Sequence, residues 1–275
     1  MLQIQDDKFS KLEFDGWQRV ANQYIDIWSG LTRQFIDPLL NAAKVDKGMR
    51  VLDVACGPGI VSEKILARNA IPVGIDFSPE MIKIAKHSYP QIDFYEGDAQ
   101  ELFFEDASFD SVVMNFGMLH LPQPMQAMKE AWRVLRKKGL FAFTVWSPSN
   151  SPAPKVMNEA KEKFADMDVP MPSAPPYDYF EDRQNCNFFL SKAGFDPETI
   201  HFEIKPVKWL VPDAGFLFNA ELNAGVRNAA FLRQQTPEKL QKIRQAAEEG
   251  VQQFKVKDGY ELPFAGCVIA AEKNK

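Results

Sequence analysis

The stretch Val51-Leu52-Asp53-Val54-Ala55-Cys56-Gly57-Pro58-Gly59 constrains the fold more than any other part of the chain. Leu52 and Val54 belong to a short apolar run typical of a central parallel strand. The run breaks into a turn of small residues, Ala55, Gly57 and Gly59, where a backbone can approach a ligand closely. A helix starts near Val61. In this strand–turn–helix setting a glycine-rich turn carries chemical meaning.

Strand and helix patterns then alternate. Residues 72–76 read as a second buried strand that ends in an acid, Asp76. Ser78 caps the next helix, with Pro79 at its first position and Glu80 in its first turn. Met81, Ile82, Ile84 and Ala85 give that helix a buried face. Residues 92–95, 109–115 and 140–146 form the third, fourth and fifth strands. Before the fifth, Met125, Met128, Ala131, Val134 and Leu135 mark a helix that ends at Lys137-Lys138-Gly139. Such alternation implies an α/β fold with a doubly wound parallel sheet. Ligands of such sheets sit beyond the carboxyl ends of the strands. Asp53, Asp76, Asp98 and Asn115 all fall there.

Ahead of the sheet, Trp17, Val20, Ala21, Tyr24, Ile25 and Trp28 recur at helical spacing. A second helix carries Phe35, Leu39, Leu40 and Ala43. Residues 1–16 read as polar and loosely ordered. The two helices either cover a sheet face or close over a ligand. The stretch 148–176 holds seven prolines and interrupts the rhythm, as an inserted connection or lid does. Residues 180–195 read as a helix ending at Gly194, and 200–204 as a strand with 209–211 extending or following it. Residues 212–250 are helical in pattern, and 267–271 form a last strand that returns beside 200–211 as an antiparallel pair. The expected organisation is threefold. N-terminal helices and the cofactor-binding half occupy 1–147. Lid and substrate-facing insertions, with an intervening strand near 200–211, occupy 148–258. The final strand occupies 259–275.

A chain of 275 residues suits one large domain, or one domain with a lid. Its net charge of −5 argues against nucleic-acid backbone as the main partner. Three cysteines, Cys56, Cys186 and Cys267, are too few and too scattered for a disulfide framework or a metal site. They suit free thiols in a reducing cytoplasm. Residues 1–8 lack the apolar core of a leader peptide, and no stretch approaches a transmembrane span. Oligomeric state is left open.

Three ligands compete for the glycine turn. A P-loop fails, because no Gly-Lys-Ser/Thr follows at the required spacing. A nicotinamide or flavin dinucleotide is compatible with Gly57-Pro58-Gly59-Ile60-Val61-Ser62 and with Asp76 downstream as a ribose anchor. Asp53 would then present a carboxylate to a pyrophosphate, which has the wrong sign. A cationic ligand without phosphates turns that acid into an asset.

Asp53-Val54-Ala55-Cys56-Gly57-Pro58-Gly59 resembles the first motif of class I S-adenosylmethionine-dependent methyltransferases. Gly97-Asp98-Ala99, with the later Phe104–Phe109 stretch and Asp110, resembles the family's third-strand block. Asn115-Phe116-Gly117-Met118-Leu119-His120, followed by the segment 131–139, resembles the ubiquinone/menaquinone-biosynthesis-type subgroup. The resemblance is strong over about residues 17–147. It departs at Ala55, where many members carry Gly, and at Lys138, where Gly is common. It implies a mostly parallel, seven-stranded Rossmann-like sheet with an antiparallel last strand, N-terminal helices and a helical lid insertion.

The resemblance also implies a cofactor, S-adenosyl-L-methionine, and its product S-adenosyl-L-homocysteine. Gly57 and Gly59 would meet the methionine part by backbone, with Ala55 in the same turn. Asp53 would support that loop or face the cationic end. Asp76 would bond both ribose hydroxyls. Phe77 and Met81 would flank the adenine, although Met81 equally suits the core beneath its helix. Asp98 would bind the adenine amino group, with the Ala99 N–H on a ring nitrogen. Tyr24, Asn115 and Phe116 complete the expected cofactor set.

Methyl transfer from a sulfonium needs alignment and exclusion of water rather than a nucleophilic side chain. Where the acceptor must lose a proton, a base near neutral pKa helps. Of His87, His120 and His201, only His120 follows a strand's carboxyl end where a site is expected, and it is the candidate base. Trp17, His120, Trp146, Phe180 and Phe216 are the candidate acceptor walls, suited to a small apolar or aromatic molecule methylated on oxygen, nitrogen or carbon. Two other functions remain compatible: non-methylating chemistry on the same cofactor, and an NAD-dependent oxidoreductase. No metal is expected.

Overall fold

The computed structural model describes residues 7–274. Helices α1 (Asp7–Ile27), α2 (Ser29–Thr32) and α3 (Ile36–Ala42) precede the sheet. Then come β1 (Arg50–Val54), α4 (Ile60–Ala67), β2 (Ile71–Asp76), α5 (Pro79–Ser88), β3 (Asp93–Glu96), β4 (Phe109–Asn115), α6 (Pro124–Val134) and β5 (Leu135–Trp146). The second half contains α7 (Pro152–Phe164), α8 (Arg183–Ala193), β6 (His201–Val211), α9 (Phe216–Ala224), α10 (Arg227–Leu232), α11 (Pro237–Val251), β7 (Lys255–Val256) and β8 (Gly259–Glu272).

The sheet order is β3-β2-β1-β4-β5-β8-β6. Strands β1 to β5 pair in parallel, whereas β8 runs antiparallel to both β5 and β6. The antiparallel strand is therefore inserted between β5 and β6. An eighth strand appears because β7 folds back on the start of β8, with Lys255 opposite Tyr260 and Val256 opposite Gly259.

Alternation along the central strands sends neighbours to opposite faces. Val51 and Val113 pack under Leu39, Leu40 and Ile65 from α3 and α4. Leu52, Val112, Phe141 and Phe143 pack on the other face with Met128 of α6 and Leu190 of α8. Burial on both faces explains why β1 and β4 read as continuous apolar runs. A further core joins α7, α9 and α11 to the far ends of β6 and β8, through Met157, Phe218, Ile243, Trp209 and Leu262.

Three boundaries differ from the sequence expectation. Helix α1 begins at Asp7, ten residues before Trp17, because Phe9 and Glu13 continue its buried face. Helix α6 stops at Val134, and β5 takes over at Leu135. The helix expected over 180–195 is a short turn, Tyr179–Glu181, followed by α8. Asp182 separates them by accepting the Gln184 and Asn185 backbone N–H groups as an N-cap. Gly194 (φ +109°) ends α8 as expected. The leader-peptide expectation falls largely on residues 1–6, outside the described residues. Among the described residues, no helix is long and apolar enough to cross a membrane.

Candidate active site

A cavity of about 400 Å³ lies where β1, β2 and β4 end, within the usual range for small-molecule sites, roughly 300–1,000 Å³. The turn after β1 supplies Ala55, Cys56, Gly57 and Pro58. The ends of β2 and β3 add Asp76, Phe77, Asp98 and Ala99, and α5 adds Met81. The end of β4 adds Asn115, Phe116 and His120. Trp17 and Tyr24 of α1 and Trp146 of β5 close other walls. Thus most of the residues singled out from sequence border one space.

The backbone at this rim is unusual. Ala55 (φ +54°) and Phe116 (φ +59°) occupy the left-handed region, which non-glycine residues seldom adopt. Gly57 has φ +53°, and a Cβ placed there would meet nothing within 4 Å. Its Cα therefore faces free space, and the chain there is open to a ligand.

Asp76 holds the rim together. Its Oδ2 accepts the Gly57 N–H (2.8 Å) and its Oδ1 accepts the Ser78 N–H (2.9 Å). The carboxylate thereby ties the β1 turn to the cap of α5. Burial pushes its pKa up to about 6, against the opposing effect of those hydrogen bonds. Asp98 is exposed and is occupied locally: Gln100 donates its backbone N–H to Oδ1 and its side-chain amide to both oxygens. The Asn115 amide donates to the Thr32 carbonyl and accepts the Thr144 hydroxyl (2.7 Å), so it joins β4, β5 and α2 at the cavity edge. Phe116 stacks on Trp146 with ring centroids 3.9 Å apart.

Four expected site residues lie elsewhere. Asp53 is fully buried beneath the turn and does not border the cavity. Its Oδ2 accepts the Ser62 hydroxyl (2.6 Å), its Oδ1 has no hydrogen-bond partner among the described residues, and burial pushes its pKa up to about 7. It supports the loop from below. Gly59 caps α4 at φ +85° and does not border the cavity; a Cβ there would come within 2.7 Å of Phe94. Phe180 is buried edge-on to Phe143 in the main core. Phe216 packs edge-on to Trp209 behind the cavity wall.

Sequence reasoning missed Glu13 and Arg227. Glu13 borders the cavity yet is only 1% exposed. Its Oε2 lies 2.9 Å from His120 Nδ1 and accepts the Trp17 indole N–H (3.1 Å). Its Oε1 accepts the Arg227 Nε–H at 2.7 Å. Burial alone would raise the Glu13 pKa, but the charge and hydrogen bonds of His120 and then Arg227 leave it below the ordinary carboxylate value. The signal was an acid four residues from both Phe9 and Trp17, on the buried face of α1.

Residues 52–143 match the family described as "Methyltransferase domain". That segment, about a third of the chain, is similar to methyltransferases in sequence. Among curated relatives, the demethylmenaquinone methyltransferase of Renibacterium salmoninarum is 37% identical over 131 residues, 47% of this chain and 55% of that protein. The protein of the same name from Staphylococcus aureus strain MRSA252 is 38% identical over 126 residues, 44% of this chain and 52% of its own. The chain spans about half the length of these relatives. A putative methyltransferase from Bacillus halodurans has the same fold, with a TM-score of 0.58, 21% identity, and coverage of 88% of this chain and 100% of that one. A Thermotoga maritima methyltransferase, described as a possible histamine N-methyltransferase, gives 0.56, 19%, 95% and 99%.

The Thermotoga maritima protein is described as S-adenosylmethionine-dependent, and a Haemonchus contortus N-methyltransferase of the same fold was solved with S-adenosylhomocysteine. The free space at Gly57 and the buried Asp76 carboxylate at the cavity wall fit a ligand with an amino-acid end and a hydroxylated sugar. The dinucleotide reading gives way to this one.

Proposed function

We propose that the protein transfers a methyl group from S-adenosylmethionine to a small, largely apolar or aromatic acceptor. The observation that carries this reading is the continuity of the cavity. One space borders both the motif residues Gly57, Asp76 and Met81 and an aromatic wall of Trp17, Trp28, Trp146, Tyr177 and Phe264. In this reading the bound cofactor supplies an electrophilic methyl carbon. Asp76 holds the ribose hydroxyls, Gly57 and Ala55 receive the methionine part, Phe77 and Met81 flank the adenine, and Asp98 with Ala99 reads its edge. The aromatic wall orients a flat acceptor and excludes water, which supplies much of the acceleration in group transfer. His120 accepts a proton where the acceptor must lose one.

The stretch 148–258 contributes the acceptor side of the cavity through Ser151, Asn158, Tyr177, Glu221 and Asn228. The relatives' name favours a hydroquinone-type ring among the aromatic acceptors. Calorimetry with S-adenosylmethionine, S-adenosylhomocysteine and NAD tests the cofactor, and a metabolite extract with labelled methyl donor tests the transfer. Binding of the first two ligands and labelling of an aromatic product are expected. Absence of binding by both would overturn the reading, and binding without any labelled product would move the protein to non-methylating chemistry.

A further inference from the structure

We propose that Glu13, held by Arg227, positions His120 as the proton acceptor for an acidic hydroxyl, a phenol or an enol, on the methyl acceptor. This inference rests on the methyl-transfer reading. The three residues are 107 and 214 positions from Glu13 to its partners, and come from α1, the loop after β4, and α10.

Two N–H donors, from Trp17 and Arg227, and the His120 Nδ1 atom converge on one buried carboxylate. An ionised carboxylate only accepts hydrogen bonds. With Arg227 on Oε1 at 2.7 Å, the His120 contact on Oε2 at 2.9 Å requires the imidazole proton on Nδ1. In the neutral ring Nε2 then carries the lone pair; it makes no hydrogen bond to any described residue and belongs to a side chain that borders the cavity. Trp17 fixes the arrangement from a second side: its indole donates to the same Oε2, and its ring meets the His120 ring edge-on at 4.9 Å. Asp76, which interacts electrostatically with His120, belongs to the cofactor rim.

Arg227 is anchored independently of Glu13. Its Nη1 donates to the Pro175 carbonyl (2.9 Å) and its Nη2 to the Leu119 carbonyl, one residue before His120. Its guanidinium lies over the Phe9 and Tyr177 rings, at 4.6 and 4.4 Å from their centroids. One cation thus fixes both the carboxylate that orients the imidazole and the backbone that carries it. The step assigned is proton transfer. The acceptor's O–H bond breaks, its electron pair stays on oxygen, and an N–H bond forms at Nε2. The resulting imidazolium is balanced by the Glu13 carboxylate. An amine acceptor that already has a free lone pair does not need this device.

The test reads the ring directly. Protein labelled with nitrogen-15, without cofactor and at about pH 8, gives long-range proton–nitrogen correlations for its three histidines. The His120 signal is the one lost in His120→Asn. The expected wild-type ring is protonated on Nδ1. In Glu13→Gln the amide oxygen stays with Arg227 and its NH₂ faces the imidazole, so the ring is expected to switch to the Nε2–H form. A wild-type ring protonated on Nε2 overturns the proposal, as does a Glu13→Gln ring that keeps Nδ1–H. If Glu13→Gln does not fold, the wild-type spectrum decides alone. Calorimetry with S-adenosylmethionine on the same sample separates the two claims: no binding overturns the function, and a wrong tautomer overturns only the role of Glu13.

Discussion

Asp53→Asn isolates the cost of a buried charge beneath the cofactor turn. Asp53 is fully buried, with one oxygen bonded to Ser62 and the other without a hydrogen-bond partner among the described residues. Burial pushes its pKa from 3.8 up to about 7. An acid raised in this way holds its proton in the folded chain at pH values where the unfolded chain has lost it. Stability therefore falls as pH rises from about 4 to about 7. At about 1.4 kcal/mol per unit, the shift corresponds to roughly 4 kcal/mol at most, of which roughly 2–3 kcal/mol falls between pH 5 and pH 8. Asparagine keeps the oxygen that meets Ser62 and removes the charge. It also leaves a buried N–H without a partner, at a cost of about 1–3 kcal/mol that does not depend on pH. The readout is therefore the slope. Urea unfolding of cofactor-free wild type and variant at pH 5, 6, 7 and 8 should show wild type losing stability relative to the variant as pH rises. Asp76 acts electrostatically on Asp53, so the difference between the two curves reads the coupled pair, with Asp53 as its larger part. Parallel curves for the two proteins would refute the assignment of a strained, protonatable acid under the turn.

Asp76→Ala removes the acceptor shared by Gly57 and Ser78 together with the proposed ribose contacts. Charge-assisted hydrogen bonds worth about 1.5–3 kcal/mol each predict S-adenosylmethionine affinity at least ~10-fold weaker by calorimetry. Gly59→Ala forces an L-residue to φ +85° with its Cβ 2.7 Å from Phe94, so thermal unfolding should show a loss of at least about 1–2 kcal/mol. Phe180→Ala opens the main core beside Phe143, and should cost about 3–5 kcal/mol of stability while a folded variant retains its acceptor affinity; a selective loss of acceptor affinity would return Phe180 to the acceptor wall.

The parallel half of the sheet was legible because its signals are local. Buried strands read as apolar runs, Ser78-Pro79 marks a helix start within two residues, and the acids close their strands. The cofactor rim inherits that legibility, since most of its residues sit at or just beyond a strand end. Asp53 shows the limit of the argument. A strand end fixes position along the strand, and the pleat then sends alternate side chains to different faces. Asp53 therefore points under the turn to Ser62 of α4, whereas Ala55, two residues on, reaches the rim only through a left-handed backbone. Phe180 and Phe216 show another limit, because an aromatic residue in an insertion suits a core as well as a pocket. Both are used in packing, one against the sheet and the other against Trp209.

The acceptor side is least legible for a topological reason. The proposed proton transfer draws on an acid at residue 13, an imidazole at residue 120 and a guanidinium at residue 227, none of which lies in a motif with the others. Each is ambiguous alone: a polar N-terminal segment, a histidine after a strand, an arginine on a short helix. Only when α1 begins at Asp7, so that Glu13 falls on the same face as Phe9 and Val20, does the acid turn inward. An unpaired carboxylate on that face would carry a desolvation cost of several kcal/mol. Its burial therefore required cationic or donor partners from elsewhere in the chain, and the two it found, His120 and Arg227, connect the opening helix to the proposed acceptor wall.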